Sequence, residues 1–547
     1  MALDGFIGPS REDAEEYTRL GCWLNITLAD VLDKAAELHP DKEALVDDRS
    51  RLTYLQLKDC VDGLALGLAG LGIGRGDSVM LQLPNWSEFV CSFFAVQKVG
   101  ATAVLLLPRH MQIEVNHFAG LTKAKAWIVP ERYHSTEFAP LTKDVLSAHP
   151  HIEHVVSVRA AQGAGSLRLE ALMEAGRRQK GTKSLFAERR PAPNVAAFIL
   201  GTGGTTGLPK AVPRTHNSAV CEAKWKAQAR EQGDDAACLL STPLEHALAL
   251  AALNSTIFSY GKVVLLDSTR PEDFCAAVER ERVTCAPLVP ALLSRLVEFD
   301  GLERYDMSSL RALYVGGAKT PPEAILGLHR RVGKVYVGAF GMSEGPTTTT
   351  RLDDDLDVIL NSVGRPCCPY DEFKVVDASG EDLPRNAEGE LLAKGPGVFT
   401  GYLQDPEENR SAFTSQGYFR TGDLAVIDAA GNVRITGRIK DIILRGGENI
   451  SPAEIEALIR RHPAVEDVAV VGMPDKALGE RACAYIQTRG SVKLTLQEVV
   501  SFLRSQGASV LQLPERVEML DAMPLTKIGK PDKKALREDI RKRLSGA

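Results

Sequence analysis

The run VAAFILGTGGTTGLPK (195–210) joins two unlike halves. VAAFIL (195–200) is continuous apolar sequence of strand length, as in a strand buried on both faces. GTGGTTGLPK (201–210) packs four glycines, three threonines, a proline and a lysine into ten residues. Neither helix nor strand favours that composition. Glycines let backbone N–H groups approach an anion closely, and threonine hydroxyls add donors. With the helical sequence HNSAVCEAKWKAQAR (216–230) downstream, the plan is strand, phosphate loop, helix. A flexible linker has no need of three threonines and a terminal lysine. The Walker pattern does not fit, because Pro209 stands where it requires glycine and Ala211 follows Lys210.

Outward from this stretch, short apolar runs alternate with helical patterns. The runs are SVMLQL (78–83), TAVLLL (102–107), AKAWIV (124–129), KVVLL (262–266), APLVP (286–290) and ALYVGG (312–317). The intervening EFVCSFFAVQKVG (88–100) reads as an amphipathic helix. The alternation predicts an α/β fold with parallel strands. No internal repeat or low-complexity tract interrupts it. DEFKVVDASGEDLPRNAEGELLAKG (371–395) reads instead as strands joined by Gly/Asn/Asp turns, a small β subdomain. Further on, Ser451 and Glu454 have capping-box spacing and Pro452 suits the first helical position. A helix to His462 is expected, followed by a strand at 465–473. The predicted organisation is a large α/β domain over 1–437, holding the β subdomain, and a small α+β domain over 438–547, hinged at 438–441.

Composition narrows the function classes. With 547 residues, 44% apolar and 25% charged, the chain can bury a large core. A net charge of −6 gives no electrostatic support to nucleic-acid binding. Ten cysteines include one vicinal pair, Cys367–Cys368, and no CxxC spacing. That pattern argues against a disulfide framework or zinc site and fits a reducing, cytoplasmic compartment. The acidic start MALDGFIGPSREDAEEY is no signal peptide. The most apolar stretch, HALALAALNSTIFSYGKVVLL (246–266), is too interrupted for a membrane span.

TGGTTGLPK (202–210) resembles the signature loop of the adenylate-forming enzymes: acyl- and aryl-CoA ligases, peptide-synthetase adenylation domains and firefly luciferase. The other family motifs follow in order, and the resemblance covers roughly residues 25 to 540. It assigns the nucleotide phosphates to Thr202, Gly203, Gly204, Thr205, Thr206, Gly207 and Lys210. FGMSEG (340–345), with Phe340, Gly341 and Met342, resembles the aromatic-Gly-x-[ST]-E motif. Ser343 would then contact the α-phosphate and Glu344 would hold Mg²⁺, a hard ion that takes oxygen ligands. Gly316, Gly317 and Ala318 resemble the stretch that packs on adenine. YFRTGD (418–423) would place Asp423 on the ribose hydroxyls, and a carboxylate suits two vicinal donors. In GRIKD (437–441), Arg438 would reach ribose or phosphate and Lys440 would be the hinge of a mobile C-terminal domain. PLTKIGKPDKK (524–534) resembles the C-terminal motif whose lysine is Lys530. A mobile cation there would neutralise charge developing at the α-phosphate.

The implied reaction uses Mg·ATP to convert a carboxylic acid to an acyl-adenylate, then transfers the acyl group to a thiol. Gly446 and Gly447 would line the thiol channel. QLPNWSEF (82–89), VPRTHN (212–217), RLDD (351–354) and VGRPCCPYDE (363–372) resemble the aryl-acid branch, which includes dihydroxybenzoate–AMP ligases. In PLEH (243–246), His246 would stand at the mouth of an acyl pocket bounded by Ala247, Gly316 and Gly341. That branch follows the histidine with an asparagine that grips an ortho-hydroxyl. Here Ala247 follows, and a one-residue slip would bring Glu245 near that place. An apolar pocket suits a less polar aromatic or cyclic acid. Coenzyme A and the phosphopantetheine of a carrier protein present the same thiol, and the wording GGENISPAEIE (446–456) leans to coenzyme A. A non-catalytic adenylate-binding regulator is the rival from another class. Lys530, Glu344, Asp423 and Arg438, all present, speak against it.

Overall fold

The computed structural model describes residues 3–161, 167–179, 182–202, 208–445, 448–475, 478–490, 492–506, 508, 512–526 and 529–545. The chain divides into two compact units. One holds residues 1–372 and 393–419, the other 373–392 and 420–547. The β subdomain expected over 371–395 therefore clusters largely with the C-terminal residues.

Among the described residues, the first unit contains two large sheets. One has seven strands, with Ala211–Thr215 at an edge, then Ala196–Gly201, Thr102–Leu105, Ser78–Leu81, Ala126–Pro130, His154–Val158 and Leu167–Arg168. The other has nine, in which Lys262–Leu265, Ala237–Leu240, Cys285–Leu288, Ala312–Gly316 and Tyr336–Gly341 lie side by side in parallel. Every apolar run read from the sequence is a strand. Helices Leu28–Leu38, Tyr54–Gly70, Ser87–Lys98 and Ala247–Phe258 contribute to one core that also takes Val79 and Leu81 from the first sheet and Leu240 and Val263 from the second.

That placement corrects the amphipathic reading of residues 88–100. Apart from Glu88, residues 87–100 are all buried, Gln97 and Lys98 included. A helix covered on every side can carry a cation only with partners. The Lys98 ammonium meets both Asp33 and Asp62. Ala247–Phe258 is likewise buried from Ala249 to Ile257, so the membrane-like stretch is core. No helix among the described residues is long and apolar enough to cross a membrane.

The second unit holds a four-stranded sheet, Glu372–Val376, Glu388–Lys394, Phe419–Ile427 and Val433–Arg438, and a five-stranded sheet with long strands Val465–Asp475 and Gly479–Thr488. The C-terminal helix Lys533–Ser545 buries Leu536 and Ile540 beside Val471 and Tyr485. Pro452 does open a helix, which ends at Ile459 instead of His462. The capping box does not form. The Ser451 hydroxyl donates to the Thr436 carbonyl at 3.2 Å, and Gln512 donates to Glu454 at 3.0 Å. Two tertiary partners have replaced one local motif.

Candidate active site

The opening stretch folds as a hairpin. Ala196–Gly201 pairs antiparallel with Ala211–Thr215, and the helix His216–Ala229 starts only after that second strand. The expected strand–loop–helix order therefore gains a strand, and the loop does not abut a helix N-terminus. Pro213 is tolerated because the strand lies at the sheet edge. The Thr202 N–H donates to the Lys210 carbonyl at 3.0 Å, tying the loop's ends together. Gly203, Gly204, Thr205, Thr206 and Gly207 lie outside the described residues.

At the carboxyl ends of the parallel strands, where open α/β sheets bind ligands, Ala312–Gly316 and Tyr336–Gly341 run in register, Gly316 opposite Ala339. Gly317 has φ +92°, a conformation glycine adopts readily, and with Ala318 is exposed at the strand end. Phe340 and Gly341 close their strand, and Met342 to Gly345 form a turn with the Gly345 N–H on the Met342 carbonyl at 3.1 Å.

This turn delivers Glu344, only 7% exposed. The Tyr402 hydroxyl donates to Glu344 Oε1 at 2.8 Å, and the Phe399 N–H donates to the Glu344 carbonyl at 2.7 Å. Burial pushes the Glu344 carboxyl above its usual range, against the pull of Tyr402. Lys210 Nζ pairs with Glu408 and lies 4.9 Å from the Tyr402 ring centroid. Tyr402 thus stands between the glutamate of one motif and the lysine of another. Tyr402 and Glu408 carried no sequence signal, since each acts through contacts remote in the chain.

A buried carboxylate is an oxygen donor suited to Mg²⁺, which binds through one or two carboxylates with substrate phosphates rather than an all-protein cage. Among the described residues no group of three or more His, Cys, Asp or Glu side chains could hold a metal. Glu344 fits the magnesium role on those terms.

His246 is the N-cap residue of Ala247–Phe258, and both His246 and Ala247 are half-buried. Glu245, the residue a one-residue slip would bring to the asparagine's place, is 4% exposed. Both its carboxylate oxygens are sealed from solvent, without a hydrogen-bond partner from another residue. Burial raises it well above the carboxylate range, with Arg109 pulling the other way.

In the second unit, Asp423 and Arg438 sit directly opposite on antiparallel strands, Arg438 Nε 2.8 Å from Asp423 Oδ1. Asp423 is 2% exposed. Lys440 falls in the 3₁₀ turn Ile439–Asp441. Lys530 is tied back to Thr526. The Thr526 Oγ1 accepts from the Lys530 N–H at 3.2 Å, and the Thr526 N–H donates to the Lys530 carbonyl at 2.7 Å. Gly446 and Gly447 lie outside the described residues. Three basic residues near the C-terminus have carboxylate partners. Lys533 meets Glu456 at 2.7 Å, Arg537 meets Asp441 at 2.7 Å, and Arg543 meets Glu518 at 2.9 Å.

His216, of VPRTHN, is fully buried and accepts the Leu28 N–H at 3.3 Å on Nδ1. Burial lowers it from 6.5 to about 3. Below pH 6.5 the unfolded chain binds this proton and the folded chain does not, so stability falls with pH until about 3. The contribution is on the order of 1 kcal/mol per pH unit. His216→Asn should therefore show a shallower loss of thermal midpoint between pH 7 and pH 5 than the parent. Equal slopes would place the acid sensitivity elsewhere.

AMP-binding enzyme matches residues 32–403, and AMP-binding enzyme C-terminal domain matches residues 454–530. The chain is 36% identical to the 2,3-dihydroxybenzoate-AMP ligase of Bacillus subtilis, covering 99% of both. It is 35% identical to the salicyl-AMP ligase / salicyl-S-ArCP synthetase of Mycobacterium tuberculosis, over 98% of this chain and 94% of that one. It is also 35% identical to a salicylyl-CoA synthase / salicylate adenylyltransferase of Streptomyces, over 99% and 98%. The apo structure of Mycobacterium smegmatis MbtA superposes with TM-score 0.75 at 34% identity, covering 98% of both chains. The chain belongs to the AMP-binding enzyme family, the adenylate-forming ligases. Within that family it stands in the aryl-acid branch.

Proposed function

We propose that this enzyme activates an aromatic or cyclic carboxylic acid with Mg·ATP and passes the acyl group to the phosphopantetheine thiol of a carrier protein. In the first step a carboxylate oxygen bonds to the α-phosphorus, the bond to the bridging oxygen breaks, and pyrophosphate leaves. In the second the thiol sulfur bonds to the acyl carbon, AMP departs with the electron pair of the C–O bond, and the thiol proton goes to solvent. Magnesium, when bound, would screen phosphate charge. Glu344 would hold it, and Ser343, Lys210 and the 202–207 loop would orient the phosphates. The observation that carries this reading is Glu344, a desolvated carboxylate held by Tyr402 at a parallel-strand end. Asp423 and Arg438 are assigned to the ribose, Gly316 to Ala318 to adenine, Lys530 to the first step, and Gly446 and Gly447 to the thiol's approach.

The carrier-protein acceptor draws its support from the relatives named as AMP ligases and as a salicyl-S-ArCP synthetase. It reverses the lean toward coenzyme A that GGENISPAEIE suggests. Coenzyme A is the second reading, favoured by that wording and by the relative named a salicylyl-CoA synthase. All ten cysteines are free thiols, in keeping with a reducing cytoplasmic setting.

The test is pyrophosphate release from Mg·ATP across a panel of ring carboxylic acids, with coenzyme A, with a phosphopantetheinylated aryl carrier protein, and with neither. Acid-dependent release with acyl transfer to the carrier supports the proposal. Transfer to coenzyme A alone moves the assignment to the second reading. No release with any acid rejects both. The pocket assignment has its own check. Ala247→Phe should lower adenylation of bicyclic acids about tenfold or more relative to single rings. An unchanged substrate ranking would take the start of that helix out of the pocket.

A further inference from the structure

VPRTHN (212–217) holds one residue that the reaction outlined above leaves unused. Arg214 is 1% exposed, one of the largest side chains fully buried in the protein. A guanidinium so enclosed needs partners for its donors. Its Nη1 donates to the Ser343 carbonyl at 3.1 Å. Its Nη2 donates to the Gly397 carbonyl at 2.8 Å and to Glu222 Oε2 at 3.2 Å. Glu222 in turn meets Lys226. Two of these partners are backbone carbonyls, and each belongs to a loop that touches Glu344. Ser343 is its chain neighbour. Gly397 lies two residues before Phe399, whose N–H holds the Glu344 carbonyl.

The two loops are pressed together. Gly345 has φ +114°, and a Cβ there would collide with the Gly397 carbonyl. A Cβ on Gly395 would collide with Asp371. The FGMSEG turn is thus gripped by one cation reaching across from the edge strand of the other sheet.

We propose that Arg214 is a positioning residue for adenylation, clamping the Ser343 and Gly397 carbonyls so that the turn carrying Ser343 and Glu344 is set for Mg·ATP before it binds. This rests on the reading of Ser343 and Glu344 as the α-phosphate and magnesium residues. A planar fork can serve two carbonyls at once; an ammonium cannot do so with the same geometry. The clamp acts on the nucleotide end of the site and leaves the carboxylic acid's contacts alone.

The experiment is acid-dependent ATP–pyrophosphate exchange by the full-length protein, with Mg·ATP and the acid varied separately and Mg²⁺ titrated. It compares the parent with Arg214→Lys and with Arg214→Met/Glu222→Gln, a pair that removes one charge of each sign and leaves Lys226 facing a neutral amide. In the double variant kcat/KM for Mg·ATP should fall ten- to a hundredfold, with more Mg²⁺ needed for half-maximal rate and the KM for the acid within twofold. Arg214→Lys should lie between it and the parent. A thermal midpoint measured on each variant separates this split from general loosening. If the parent exchanges but both folded variants keep the parent's Mg·ATP and Mg²⁺ dependence, or lose acid and nucleotide binding alike, the assignment of Arg214 falls alone. If only Arg214→Lys folds, its Mg·ATP dependence decides. If neither folds, Arg214 is a core cation and the assignment falls. No exchange in the parent overturns it together with the function.

Discussion

Lys530→Ala should lower acid-dependent pyrophosphate exchange by about a hundredfold or more, yet leave acyl transfer from supplied acyl-adenylate within a few-fold of the parent. Adenylation drives a carboxylate onto an already anionic phosphate, so negative charge builds at one point in the transition state. A preorganised cation there is among the strongest single contributions an active site makes. Lys530 is held to Thr526 through both its backbone N–H and its carbonyl. The second step consumes the mixed anhydride and builds no such charge at phosphorus, so a lysine assigned to the first step should have little to do there. Stopped assays of the two half-reactions on the same preparation measure the split. Equal losses in both would reject the idea that Lys530 belongs to one step.

Glu344→Gln should abolish most exchange, about a hundredfold, while the thermal midpoint of the metal-free protein should hold or rise. The two outcomes share one cause. The Glu344 carboxyl is buried, and that burial lifts it above the ordinary carboxylate range. The folded state therefore keeps its proton at pH values where the unfolded chain has lost it, and the parent loses stability as pH rises through that window. Glutamine keeps the shape and still accepts from Tyr402, but it carries no charge to desolvate. The variant's advantage in thermal midpoint should therefore grow as pH rises above the ordinary glutamate range in chelator-treated buffer. A fall in both stability and activity would make Glu344 a structural acid and remove its magnesium role.

Much of the architecture was legible because it is local. Runs such as TAVLLL and ALYVGG are bounded by glycine, proline or charge, and each became a strand within a residue or two of its predicted ends. What escaped was decided at a distance. Residues 88–100 showed two polar positions, Gln97 and Lys98, which look solvent-facing until Asp33 and Asp62 arrive from other helices. Ser451 and Glu454 have the spacing of a cap, but Thr436 and Gln512 offered competing partners. The strand Ala211–Thr215 was hidden by Pro213, which local rules discourage and a sheet edge permits. In the candidate site, Glu344, Ser343 and Lys210 were named from short motifs. Tyr402, Glu408 and the grip of Arg214 join residues far apart in the chain, and no window of sequence contains them.

The hairpin at the sheet edge has a consequence for how the protein behaves in a crowded cell. An outermost strand is ordinarily a template on which a second molecule can lay its own chain. Here Pro213 withdraws one backbone donor from that strand, and the Leu403 N–H occupies the Ala211 carbonyl at 3.0 Å. That border of the seven-stranded sheet therefore offers a foreign strand fewer backbone partners, in the same five residues that follow the glycine-rich loop.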